Sequence, residues 1–239
     1  MKLNSLFFII IFSILLLEKG YTQEKDIFWG FEGGAGPMDW KDARPMHWEE
    51  LADILAIDIY LCREGTHQSP INIKNTLDHK PSHFLTDFSP TPIRVKNNGH
   101  TIHLTYDLGS NINWKSKRYE LIQFHFHSTS EHLIKGKHYG MEMHLVYKTQ
   151  DHQFLVIGVL MEKGKSNALI QKIWEKILID QNKEVYYEDI LFNVGNLLPY
   201  KKSYFHYSGS LTTPPCSENV NWFISQTPIE VSIDQILFF

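Results

Sequence analysis

Apolar and polar positions alternate through much of the chain. Residues 93–95, 101–106, 119–127, 141–147 and 154–160 show the two-residue period of half-buried strands and are rich in Val, Ile, Tyr and Phe. Turn signals separate them: Asn-Gly at 98–99, Asp-Leu-Gly at 107–109 and Lys-Gly-Lys at 135–137. One segment has a clear helical period. Leu169, Ile170, Ile173, Trp174 and Ile177 form a stripe over residues 167–178, with Ser166 placed to cap it. A shorter helix is expected within 47–57, where Leu51, Ile54 and Leu55 share a face, and Ser232 is placed to cap another near the end. Strands adjacent in sequence favour antiparallel pairing, so the expected class is mainly β with peripheral helices.

The same period orders the chemistry. Within 119–127 the odd positions are Tyr119, Leu121, Gln123, His125 and His127, and the even ones Glu120, Ile122, Phe124 and Phe126. Side chains two apart in a strand leave one face, so His125 and His127 are expected to point together with Gln123 beside them. Glu142, His144 and Val146 share a face of the next strand. Should the two strands pair, three imidazoles meet on one sheet face. That is a ligand set for Zn²⁺ with its fourth position open. Gln123 and Glu142 stand where each can accept the outer N–H of a ligating ring and fix its tautomer. Singly, each histidine reads more readily as a core or surface residue; the weight lies in the joint pattern.

The rest of the sequence sets the context. Lys2 and the apolar run from Leu6 to Leu17 read as a secretory signal peptide over 1–22, because the run is shorter than the roughly 20 residues of a bilayer span. Residues 23–239 are then one exported domain, periplasmic or secreted, with no stable membrane anchor expected. A net charge of −4 and a pI near 6.3 leave no basic footprint for nucleic acid. In an oxidising compartment Cys62 and Cys216 can close one disulfide, with two buried thiols as the alternative.

Gln123-Phe-His-Phe-His127, Ser130-Glu-His132 and Glu142-Met-His-Leu-Val146 together resemble the zinc site of the α-class carbonic anhydrases, in particular exported bacterial-type members. Gln68-Ser-Pro-Ile-Asn72, Asn97-Asn-Gly-His100, Ser208-Gly-Ser-Leu-Thr-Thr-Pro-Pro215 and Glu218-Asn-Val-Asn-Trp222 extend the likeness in the family's order, from about Phe28 to Phe239. The resemblance implies a large twisted, mostly antiparallel sheet of ten strands and reversible hydration of CO₂ to bicarbonate and a proton. It implies Zn²⁺ on His125, His127 and His144. Thr212 would accept from the zinc-activated water and donate to Glu131, with Thr213 beside the bicarbonate. Val146, Val156 or a near neighbour, Leu211, Val220 and Trp222 would form an apolar wall for CO₂. His100 would shuttle the proton, Asn98 and His103 would hold the waters that carry it, and His132 would join a hydrogen-bond network behind the site. The family's sulfonamide and anion inhibitors are expected partners. The resemblance also pairs Cys62 with Cys216, a bridge that would brace the loop of Thr212.

Three departures stand out. Phe31 replaces a family Tyr, and Lys41-Asp-Ala-Arg-Pro45 lengthens the N-terminal segment. The family's C-terminal strand, whose Asn carbonyl supports the ring matching His127, has no counterpart here, so weaker activity or stability is expected. Losing such a partner costs about 10–100-fold in metal affinity or activity. Two rival readings exist. His125-x-His127-x₃-Glu131 also fits the first cupin motif, but no second motif follows. A non-catalytic carbonic anhydrase-like binding module typically lacks a zinc histidine, whereas all three are present.

Overall fold

The computed structural model describes residues 61–74, 85–97, 101–177 and 183–239, all within one compact unit, Leu51–Phe239. The expected signal peptide, the helix within 47–57, Phe31, Asn98 and His100 lie outside the described residues.

The strands are β1 (Asn72–Ile73), β2 (Leu85–Asp87), β3 (Thr91–Asn97), β4 (Ile102–Thr105), β5 (Asn111–Trp114), β6 (Lys117–His127), β7 (Leu133–Ile134), β8 (Met141–Lys148) and β9 (Phe154–Lys163). Helix α1 (Ala168–Trp174) follows, then β10 (Glu184–Phe192), a 3₁₀ turn at Val194–Leu197, β11 (Tyr204–Ser210), β12 (Glu218–Ser225), β13 (Ile229–Val231) and α2 (Ile233–Phe238). Eleven of these strands form one sheet in the order β10-β3-β4-β6-β8-β9-β12-β11, with β5 on β6, β2 on β5 and β13 on β9. Among the described residues the sheet has eleven strands, beside the ten that the resemblance implied. Within it β9 pairs in parallel with β12 and β13, and the other pairings are antiparallel. Among the described residues no helix is long and apolar enough to cross a membrane.

Two apolar clusters cover opposite faces of the central strands. The rear cluster gathers Phe124 and Phe126 of β6, Met143 and Leu145 of β8, and Ile157 of β9 against Ile170, Ile173 and Trp174 of α1. The front cluster is Ile73, Val146, Val156, Leu160, Val220, Trp222 and Ile224. Each fully buried side chain of this size contributes about 1.5–3 kcal/mol. β8 and β9 are covered on both faces, which is why their sequences are nearly continuous in apolar residues.

Three expectations are corrected. The alternation along β6 is broken, because the β6–β8 register shifts between Leu121 and Gln123. Such a bulge flips side chains to the other face. Tyr119 and Leu121 thus join Phe124 and Phe126 in the rear core, while Ile122 packs on the front cluster. The cap of α1 is Asn167, not Ser166: its Oδ1 accepts from the N–H groups of Leu169 at 3.0 Å and Ile170 at 3.2 Å. The helix also ends at Trp174, short of 178. Ser232 does cap α2, in a capping box with Gln235.

Candidate metal centre

The pairing of β6 with β8 sets His125 directly opposite His144, and His127 follows two residues along β6. The three rings stand 5.0, 5.2 and 4.6 Å apart between centroids, and one nitrogen from each lies within 4.8 Å of the others. Gln123 Oε1 accepts from His125 Nδ1 at 2.9 Å. Glu142 Oε1 accepts from His144 Nε2 at 2.9 Å. These acceptors leave lone pairs on His125 Nε2 and His144 Nδ1. His127 Nδ1 faces Glu131 Oε1 at 3.5 Å.

Burial, and then the neighbouring imidazoles, hold His125 and His127 well below the usual imidazole range. Burial also lowers His144, against the pull of the Glu142 charge. All three rings are thus neutral near pH 7, the form in which imidazole binds a metal. Three neutral nitrogens converging from a rigid sheet, two with their outer N–H already engaged, fit Zn²⁺ held at about 2.0–2.1 Å.

Behind His144 runs a buried chain of hydrogen bonds. Glu142 Oε1 also accepts from His132 Nδ1 at 2.8 Å, and Oε2 from the His132 backbone N–H at 2.8 Å. Burial would raise the Glu142 carboxyl, but His132 and His144, by charge and hydrogen bond, hold it well below the usual carboxylate range. With His132 Nδ1 donating, its Nε2 accepts from the Tyr207 hydroxyl at 2.6 Å. Ser69 Oγ donates to Tyr207 at 2.7 Å and accepts from the Ser210 N–H at 3.0 Å. His132, Glu142 and His144 also form a group of metal-ligating type. With its carboxylate accepting three bonds, that group orients the His144 ring.

Glu131 and Thr212 meet across the front of the histidines. The Thr212 hydroxyl donates to the Glu131 carboxylate, and burial pushes that carboxyl up to about 8. Thr212 and Thr213 lie in the loop between β11 and β12, closed by Leu211 N–H to Ser217 O at 2.9 Å and Cys216 N–H to Thr213 O at 2.9 Å. Cys62 and Cys216 are bridged. Val146, Val156, Val220 and Trp222 fall in the single front cluster, with Leu211 packed on it. Val156 pairs with Val146 of β8 and with Trp222 of β12. His103 stacks on His125, rings 6.4 Å apart and 6° from parallel.

Sequence reading missed Tyr207 and Ser69. Ser69 lies inside a quoted motif, but nothing in the local pattern shows that its hydroxyl reaches β11, and Tyr207 sits one residue outside the next motif.

Residues 44–239 match the eukaryotic-type carbonic anhydrase family. A carbonic anhydrase of Nostoc sp. is 38% identical over 91% of this chain and 80% of its own length. One from Neisseria gonorrhoeae is 36% identical over 83% of this chain and 74% of its own. A hyperthermostable carbonic anhydrase from an active hydrothermal vent chimney superposes with a TM-score of 0.79 at 39% identity, over 88% of this chain and 89% of that one. The α-carbonic anhydrase of Thermovibrio ammonificans, solved with the inhibitor sulfanilamide, gives 0.80 at 33% identity over 90% of each chain. A converging histidine trio on a mixed eleven-stranded sheet, matched along most of its length in sequence and in fold, places this chain in the eukaryotic-type, or α, carbonic anhydrase family of enzymes.

Proposed function

We propose that this chain hydrates CO₂ reversibly to bicarbonate and a proton, with Zn²⁺ held by His125, His127 and His144. The observation that supports it best is the convergence of three neutral imidazoles beside the Thr212–Glu131 pair and the front apolar cluster. A zinc ion bound there supplies Lewis acidity that lowers the pKa of water to about 7.

The chain's own residues do the rest. With the Glu131 carboxyl ionised beside the bound cation, Thr212 donates to it and is left with only its oxygen lone pairs toward the histidines, so it accepts from the attacking water and aims that water's lone pair. Val146, Val156, Leu211, Val220 and Trp222 hold CO₂ against an apolar surface and keep competing water away. Thr213 contacts the bicarbonate. His100 takes the released proton to solvent, with Asn98 and His103 holding the intervening waters. Sulfonamides and small anions inhibit by occupying the same space. The Cys62–Cys216 bridge supports an exported protein, since such bonds persist in oxidising compartments. Membership of the family sets the cupin reading aside.

The test is a CO₂-hydration assay with zinc analysis on protein purified from Gln23 onward. One zinc per chain, hydration blocked by a sulfonamide, and loss of both zinc and activity in His144→Ala are expected. A folded protein without zinc overturns the reading; stoichiometric zinc without hydration overturns the reaction and leaves a binding role.

A further inference from the structure

Gly158 lies in the middle of β9, paired with His144 of β8 on one side and Ile224 of β12 on the other. Its backbone is outside the left-handed region, so conformation alone does not require glycine there. A mid-strand glycine weakens a strand and often marks a close approach by another group. Here that group is Glu142: a Cβ on Gly158 would lie 2.8 Å from Glu142 Oε1 and 2.6 Å from Ile224 Cδ1. The Ile224 methyl is the tip of a side chain fully buried in the front cluster, and it can shift only by repacking there. The Glu142 carboxylate is held in place, because Oε1 accepts from His144 Nε2 and His132 Nδ1 while Oε2 accepts from the His132 N–H. It is fully buried, so no water replaces a bond that is broken.

We propose that Gly158 is a positioning residue for the metal centre: the space of its absent side chain seats the Glu142 carboxylate, and that seat sets the His144 ring and the retention of zinc. This rests on the zinc reading above. Because Glu142 stands between Gly158 and the ligand, the two residues are coupled, and the coupling is measurable apart from catalysis.

In Gly158→Ala, zinc is expected to pass to a chelator about 10–100-fold faster than from the wild-type chain, the usual effect of losing a ligand's outer partner. In a Glu142→Ala background, where the carboxylate no longer needs the space, adding Gly158→Ala should change the release rate no further. Equal acceleration in both backgrounds overturns the proposal. The second readout uses metal-free protein. The His144 Nε2–H, hydrogen-bonded and buried, is expected to give an exchange-protected ¹H–¹⁵N resonance in wild type that is lost or shifted in Gly158→Ala; an unchanged resonance overturns the proposal. If Gly158→Ala does not fold, Gly158→Ala/Ile224→Val removes the methyl contact and is measured in the same way. A wild-type chain that takes up no zinc sinks the zinc reading instead, and the ring resonance alone then decides the role of Gly158.

Discussion

Gln123 does for His125 what Glu142 does for His144, but without charge and without full burial. Its amide oxygen fixes the tautomer that leaves Nε2 as the donor atom. Gln123→Ala should therefore speed zinc release about 10–100-fold. The half-buried side chain leaves little void, so stability of the metal-free protein should move by no more than about 0.5 kcal/mol. Chelator competition and urea unfolding measure the two separately; unchanged release would show that packing alone orients the His125 ring. Residues of this kind were legible in the sequence, since ligand and acceptor sit two apart on one strand. Tyr207 and Ser69 were not legible, because what makes them matter is the approach of β11 to the segment before β1. Hydroxyl residues carry no local mark of such an approach.

The bulge at Ile122 shows why elements were harder to read than ligands. Alternation predicts a face only while the register holds, and the register shift sends Tyr119 and Leu121 to the rear core. β10 escaped reading because much of it is solvent-facing, so it lacks an apolar run. The cap of α1 falls one residue past the expected Ser166, because the Asn167 side chain suits the position as well and the geometry gives it the role. Asn167→Ala should cost about 0.5–2 kcal/mol of stability, since two N–H groups of the first turn lose their acceptor. Ser166→Ala should stay within about 0.5 kcal/mol. Chemical denaturation of both variants distinguishes the caps; the reverse ranking would return the role to Ser166. The helix has a second anchor in buried Gln235 of α2, whose side chain accepts from Asn167 N–H at 2.9 Å and donates to Asn167 O at 2.8 Å. That clasp is backbone-mediated at Asn167, so it survives in Asn167→Ala and keeps the loss near one cap's worth.

At the scale of the whole molecule, acid and reduction probe different supports. Burial holds His103, His125, His127, His144 and His206 below the usual value of 6.5. The unfolded chain gains protons there that the fold refuses, so stability of the metal-free protein falls as pH drops through about 6.5. Glu142, held low by its histidine partners, acts in the same direction at lower pH. Glu131, pushed up to about 8, opposes it, because its stability is lost as pH rises from 4.5 toward 8. Five groups against one set the sign: thermal unfolding of the metal-free protein should occur at lower temperature at pH 5.5 than at pH 7, and a flat profile would show the histidines to be solvated. Reduction acts elsewhere. The Cys62–Cys216 bridge spans 154 residues and ties the segment before β1 to the Thr212 loop, while the three histidines sit on β6 and β8. Cys62→Ser/Cys216→Ser should lose about 2–5 kcal/mol of stability. Below its melting temperature the variant should keep one zinc per chain but show a lower kcat/KM, as Thr212 loses its brace. Unchanged kcat/KM would mean that the Leu211–Ser217 and Gln68–Cys216 hydrogen bonds hold the loop without the bridge. Loss of zinc together with activity would mean that the loop supports the histidines as well.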